Sequence, residues 1–105
     1  MKKEKRIRDF KEVKEKLKEL KPLLKEKYKI KEIGIFGSYL KSKQTKRSDL
    51  DILIEFDEGT EIGLLEFIHL ENFLSDMIGV KVNLVIKNSL KPHIGKHILR
   101  EVIYL

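Results

Sequence analysis

Two carboxylates, Asp49 and Asp51, are set one residue apart in an otherwise apolar run, "DLDILIEF". Successive side chains of a strand point to opposite faces, so the two acids share one face and Leu50, Ile52 and Ile54 take the other. Anions that close on a mostly buried sheet repel each other and lose hydration, so something positive must hold them. A hard cation such as Mg²⁺ suits the task, because its octahedral shell takes carboxylate oxygens and is completed by water and substrate phosphates. Pairing with Lys or Arg is the structural alternative. Upstream, Gly37-Ser38 follows directly on the apolar "IKEIGIF" and is separated from Asp49 by ten residues. A helical turn opening there would leave backbone N–H groups free to face an anion. Glycine lets a phosphate approach the backbone and the serine hydroxyl adds a donor. A simple turn is the competing reading of Gly-Ser. Together the two elements describe a phosphate cradle at the end of one strand and a metal clamp on the next, which is what a nucleoside triphosphate requires.

The elements that must position these groups are legible from periodicity. Ile7, Phe10, Val13, Leu17, Leu20 and Leu24 recur at spacings of three and four, predicting a basic helix over about residues 5–28 that Pro22 should interrupt or kink near its end. A strand is expected from Lys31 to Phe36, a short helical turn and polar loop after Ser38, and a second strand over Asp49 to Phe56. Thr60 and Glu61 should open the next helix, with Ile62, Leu65, Ile68 or His69, Phe73 and Met77 facing inward and Gly79 ending it. "VKVNLVI" reads as a third strand. Ser89 is expected to cap a last helix with Pro92 in its first turn and Ile94, Ile98 and Val102 on one face. The expected class is α/β (α+β): a three-stranded mixed sheet packed with about four helices.

With 105 residues and 12.4 kDa, the chain has room for one domain, residues 1–105, around one modest core. It contains no cysteine, which excludes disulfides and thiol chemistry and leaves oxygen or imidazole as metal ligands. No run of residues reaches the length of a membrane span and the first residues, "MKKEKRIRDF", do not resemble a secretion signal, so a soluble, cytoplasmic protein is expected. The net charge of +6 is uneven: residues 1–31 carry 14 Lys/Arg against 6 Asp/Glu, and residues 32–105 carry 9 against 11. That basic start reads either as an ion-pair-laced solvated face or as an attraction for RNA, nucleotide or an acidic partner. Direct nucleic-acid binding ranks last, since aromatics are not interleaved with the basic run and the aspartate pair would have no role.

The spacing Gly37-Ser38, ten residues, Asp49-x-Asp51 resembles the GSx₁₀DxD signature of minimal nucleotidyltransferase (MNT) domains, small relatives of the polymerase-beta superfamily. The likeness runs from "EIGIFGSYLKSKQTKRSDLDILIEF" through "GLLEFIHLENFLSDMIGVKVNLV" to "SLKPHIGKHILREVIYL". The resemblance implies a small nucleotidyltransferase fold that uses Mg²⁺ and ATP to transfer AMP to an acceptor. It also implies an antitoxin role, silencing a helical HEPN ribonuclease toxin by adenylylating one of its tyrosines. Asp49 and Asp51 would then be catalytic groups and metal ligands, and Gly37 and Ser38 would bind phosphate.

One position departs from the family pattern. Where a third carboxylate usually stands in a "VDLV"-like strand, this chain reads Val82-Asn83-Leu84-Val85. An asparagine can offer a carbonyl oxygen to a metal, but it adds no negative charge and cannot take a proton from the acceptor near neutral pH. Weakened catalysis is expected; the alternative is a module that binds ATP and neutralises its partner by complex formation without turnover. Lys41, Lys43, Lys46 and Arg47, in the loop between cradle and clamp, are candidate phosphate neutralisers or simply solvated. His93 and His97, four apart, have metal-ligand spacing but lack a third ligand, so they read as incidental. His69 reads as an edge-of-core residue and Tyr28, Tyr39 and Tyr104 as packing residues, with Tyr39 able to border the nucleotide.

Overall fold

The computed structural model describes residues 9–41 and 48–105. Helix α1 spans Phe10–Tyr28 and starts where Asp9 accepts a 2.9 Å hydrogen bond from the Glu12 N–H, satisfying one donor of the open first turn. The earlier part of the expected helix, Ile7 included, lies outside the described residues. Pro22 does not interrupt α1; the helix continues to Tyr28 and ends at Lys29, which adopts the left-handed conformation at φ 60°. The apolar stripe is as expected: Val13, Leu17, Leu20 and Leu24 are all buried.

Strands β1 (Ile30–Phe36) and β2 (Leu50–Phe56) pair antiparallel, and α2 (Leu64–Ile78) carries the chain to β3 (Val82–Ile86), which joins β2 in parallel. A parallel pair needs such a crossover. A 3₁₀ turn at Lys87–Ser89 leads into α3 (Pro92–Glu101), and the chain closes with β4 (Ile103–Tyr104). The sheet order is β3-β2-β1-β4, four strands rather than three. The fourth is a two-residue strand antiparallel to β1, too short for any periodicity to announce it. Among the described residues, three α-helices and the 3₁₀ turn stand where about four helices are expected. Ser89 belongs to the 3₁₀ turn and does not cap α3; Lys91 holds that position without a side-chain cap, while Pro92 does occupy the first turn. Among the described residues, no helix is long and apolar enough to cross a membrane.

Helix α2 departs most from expectation. It begins at Leu64 after Gly63, and it buries Leu70, Leu74 and Ile78, with Phe67 and Phe73 packed against the core. Leu65, Ile68 and Met77, expected inside, are exposed, as is His69, which is not an edge-of-core residue. "LLEFIHLENFLSDMI" is apolar on more than one helical face, so spacing alone admits two stripes, and the sheet selects the one through Phe67, Leu70, Leu74 and Ile78.

One face of the sheet presents Leu50, Ile52, Ile54, Phe56, Val82 and Leu84 to the core shared with α1 and α2. The opposite face presents Asp51, Leu53 and Glu55 of β2 beside Phe36 and Gly34 of β1. The C-terminal segment closes over Gly34 so tightly that a Cβ there would lie 2.6 Å from Val102 Cγ2 and 3.0 Å from the Ile103 carbonyl. Gly34→Ala is therefore expected to unseat β4 and cost about 1–3 kcal/mol, read as a lowered denaturation midpoint.

Candidate active site

The end of β1 and the start of β2 lie side by side, with Phe36 opposite Asp51, so the residues immediately after β1 meet the acids of β2. Asp49 sits just before β2 rather than in it, and Asp51 is the second strand residue. Gly37 turns the chain at φ +83°, a conformation that disfavours any side chain. Its Cα rests against Asp51 so closely that a Cβ there would fall 2.1 Å from Oδ2. Backbone and carboxylate thus share a space that only glycine leaves open. The chain then coils into a turn, with Leu40 N–H donating to the Gly37 carbonyl at 3.1 Å and Lys41 N–H to that of Ser38 at 3.2 Å. The N–H groups of Ser38 and Tyr39, at the mouth of this turn, have no acceptor among the described residues, the arrangement expected of an anion cradle.

The second oxygen of Asp51 is held from the other side. Asn83 of β3 is in register with Asp51, and its Nδ2 donates to Asp51 Oδ1 at 3.0 Å. The third position of the site is therefore occupied in space as well as in sequence, by an amide whose carbonyl oxygen remains for water or a cation. Burial pushes the Asp51 carboxyl above its ordinary value, the Asn83 hydrogen bond opposes this, and the charge of Asp49 adds to the rise. Among the described residues, no Lys or Arg forms an ion pair with Asp49 or Asp51, so the pairing alternative finds no support there. Two adjacent carboxylates, one of them desolvated, with a glycine backbone and an amide carbonyl beside them suit a hard cation that retains several waters. Among the described residues, no third acid, histidine or cysteine joins them.

The outlying candidates sort themselves by contact. Lys41 pairs with Glu101 of α3 at 2.9 Å and tethers the cradle turn to that helix; Lys43, Lys46 and Arg47 lie outside the described residues. Tyr39 is buried, and both burial and the charge of Asp49 push its hydroxyl above the ordinary tyrosine range, so it keeps its proton at neutral pH. Tyr28 packs beside Phe73 at a centroid distance of 6.3 Å, and Tyr104 is partly exposed under the Lys87 ammonium. His93 and His97 are exposed on α3.

Sequence reasoning missed the groups that hold Asn83 in place. Strand β3 is the sheet's edge, and because Lys81 accepts from Leu50 N–H, the N–H groups of Val82 and Leu84 point away from β2. Both are taken by α2: Ser75 Oγ accepts from Val82 N–H and Glu71 Oε2 from Leu84 N–H, each at 2.9 Å, while Ser75 Oγ donates to the Glu71 carbonyl. Asn83 is thereby clamped on both sides. Glu71→Ala should cost about 1–3 kcal/mol of stability and speed amide exchange at Leu84, with Glu71→Gln recovering most of the loss.

The family description "Nucleotidyltransferase domain" matches residues 17–105. The chain is 48% identical over 100 residues to the Methanocaldococcus jannaschii protein MJ0128, named a candidate protein adenylyltransferase; the match covers 94% of this chain and 100% of that one. It is 46% identical over 82 residues to the protein adenylyltransferase MntA of Thermococcus cleftensis, covering 78% and 81% of the two chains. Among solved structures, a candidate minimal nucleotidyltransferase superposes with a TM-score of 0.77 at 28% identity over 93% of this chain and 97% of that one. A toxin-antitoxin crystal structure with AMP-PNP shares the fold at a TM-score of 0.70 and 22% identity, over 85% of this chain and 70% of that one. Seen with the glycine turn packed on Asp51, these matches leave one assignment: the chain belongs to the nucleotidyltransferase domain family and, within it, to the protein adenylyltransferases.

Proposed function

We propose that the protein transfers AMP from ATP to a tyrosine hydroxyl of a HEPN-type toxin with which it pairs, and so acts as that toxin's antitoxin. The observation that carries the site assignment is the contact of Gly37 with the Asp51 carboxylate, which joins the cradle to the clamp. The pairing is supported by the fold shared with a toxin-antitoxin complex that holds an ATP analogue.

In this reading Asp49 and Asp51 would hold Mg²⁺, and the chemistry it would supply there is charge neutralisation of the phosphates and polarisation of the α-phosphoryl group. The turn after Gly37 presents its free N–H groups and the Ser38 hydroxyl to the triphosphate and fixes its direction. The acceptor oxygen bonds to the α-phosphorus as the bond to the β-phosphate breaks, and pyrophosphate leaves. Asn83 keeps Asp51 oriented but takes no proton, so the proton of the acceptor hydroxyl passes to solvent.

The test is transfer of label from α-labelled ATP to the HEPN-type partner with Mg²⁺ present. Label on a partner tyrosine is expected; silencing of the partner without any label would replace transfer by complex formation as the antitoxin mechanism. Asn83→Asp is a second test. A carboxylate there strengthens cation binding and supplies a base, so transfer should rise about tenfold or more. In EDTA the same variant should melt lower, because it exchanges a hydrogen bond to Asp51 for a repulsion.

A further inference from the structure

We infer that the apolar groove between the start of α2 and β3 is a docking site for a basic amphipathic helix of a partner protein. The inference stands on the groove and does not require AMP transfer. The groove, about 420 Å³, is lined by Ile62, Leu64 and Phe67 on one side and Leu84, Val85 and Ile86 on the other. Its lip continues onto the exposed side of α2, where Leu64 and Leu65 are 75% and 82% exposed and Ile68 is 43% exposed. Large aliphatic side chains that open, adjacent on one helix and bordering a groove, mark a surface that is covered in use.

Charge identifies the occupant. From Ser48 to Val80 the sequence holds nine Asp/Glu and no Lys or Arg. Glu61 is exposed beside Ile62, and the Glu66 carboxylate lies 3.7 Å from where a Cβ on Gly63 would be, at the groove's mouth. Lys87, which follows Ile86, is already engaged by Glu55 at 3.5 Å and by the Tyr104 ring. An apolar floor with two carboxylates at its mouth, Glu61 and Glu66, complements apolar anchors flanked by Lys or Arg. A strand is disfavoured as occupant, because the outward N–H groups of Val82 and Leu84 are already taken by Ser75 and Glu71. What remains is insertion of side chains, the mode of a helix laid in a groove. A second copy fits less well: of this chain's basic helices, α1 has its apolar stripe in its own core and, among the described residues, leaves Leu23 as its exposed large aliphatic, and the ten-residue α3 leaves Leu99.

The experiment is an NMR titration of the isotope-labelled full chain, without ATP, with two synthetic helices of about five turns. One carries leucines on one face and lysines on the other; its counterpart carries glutamates in place of the lysines. The lysine peptide should shift the amides of Ile62 to Phe67 and Leu84 to Ile86 and bind at least about tenfold more tightly than the glutamate peptide. Leu65→Asp should weaken it about tenfold, and Glu61→Lys with Glu66→Lys should erase the preference between peptides; all three side chains are exposed, and an unchanged melting temperature checks the fold. Equal affinity for both peptides, shifts confined to other surfaces, or no binding would overturn the inference. Groove shifts that appear on concentrating the chain alone would overturn it in favour of a second copy. Because the readout omits nucleotide, its failure leaves AMP transfer to be judged on its own assay.

Discussion

Asp51→Asn is expected to reduce AMP transfer by about a thousandfold or more while raising the melting temperature of the metal-free protein. The activity loss follows from the proposed role: removing one of two anions that hold the cation removes several kcal/mol of transition-state stabilisation, and each 1.4 kcal/mol is about tenfold in rate. The stability gain follows from electrostatics. Burial and the neighbouring Asp49 raise the Asp51 carboxyl above its unfolded value, so between those two values the folded chain binds a proton that the unfolded chain has released. Below the unfolded value Asp51 costs nothing; as pH rises through the window to the folded value, stability falls, and at neutral pH the whole penalty is present. Asparagine has no such titration. Because Asp51 is partly exposed, the gain should be about 1 kcal/mol or less, up to about 5 °C in a domain of this size. Thermal melts of both proteins in EDTA from pH 4 to pH 8 read this directly, and the two curves should diverge as pH rises. Adding Mg²⁺ should stabilise the unsubstituted protein and leave the variant almost unmoved. A variant that melts lower than its parent at pH 8 in EDTA would show that Asp51 is a structural anion with a cationic partner instead.

Parts of this arrangement are legible in the sequence because they depend on local periodicity. The alternation that sends Asp51 to one face and Leu50, Ile52 and Ile54 to the other is a property of any strand, and the sheet obeys it. A glycine directly after an apolar strand likewise marks a sharp departure of the chain, and Gly37 makes one at positive φ. What stayed hidden depends on which element packs where. Helix α2 is apolar around too much of its circumference for spacing to select Leu70 and Leu74 over Leu65 and Met77, and that ambiguity placed the most exposed leucine of the molecule in the core. Nothing in the local pattern singles out Glu71 and Ser75, since their partners are backbone groups of an edge strand whose outward direction is fixed only by pairing with β2. Lys41 is similar: its partner Glu101 is sixty residues away in sequence, and no local pattern links them.

Gly37→Ala should be the most disruptive single-methyl change in the site, lowering transfer by at least about a hundredfold and stability by about 1–3 kcal/mol. Two separate costs are involved. The left-handed backbone at φ +83° strains any residue with a Cβ, wherever that Cβ points. In addition, a Cβ 2.1 Å from Asp51 Oδ2 cannot coexist with the carboxylate as placed, so either the turn lifts or Asp51 rotates away from Asn83 Nδ2. A displacement of about 1 Å in either group is enough for the rate loss, because catalysis here is chiefly positioning. A double-mutant cycle separates the two costs. In an Asp51→Ala background the carboxylate is gone and the backbone strain remains, so Gly37→Ala should cost distinctly less stability there than in the parent. The coupling measured by chemical denaturation should reach about 1 kcal/mol or more. Strict additivity would mean that the glycine serves the turn alone and that cradle and clamp do not touch, and the case for their joint action on a nucleotide would lose its geometric basis.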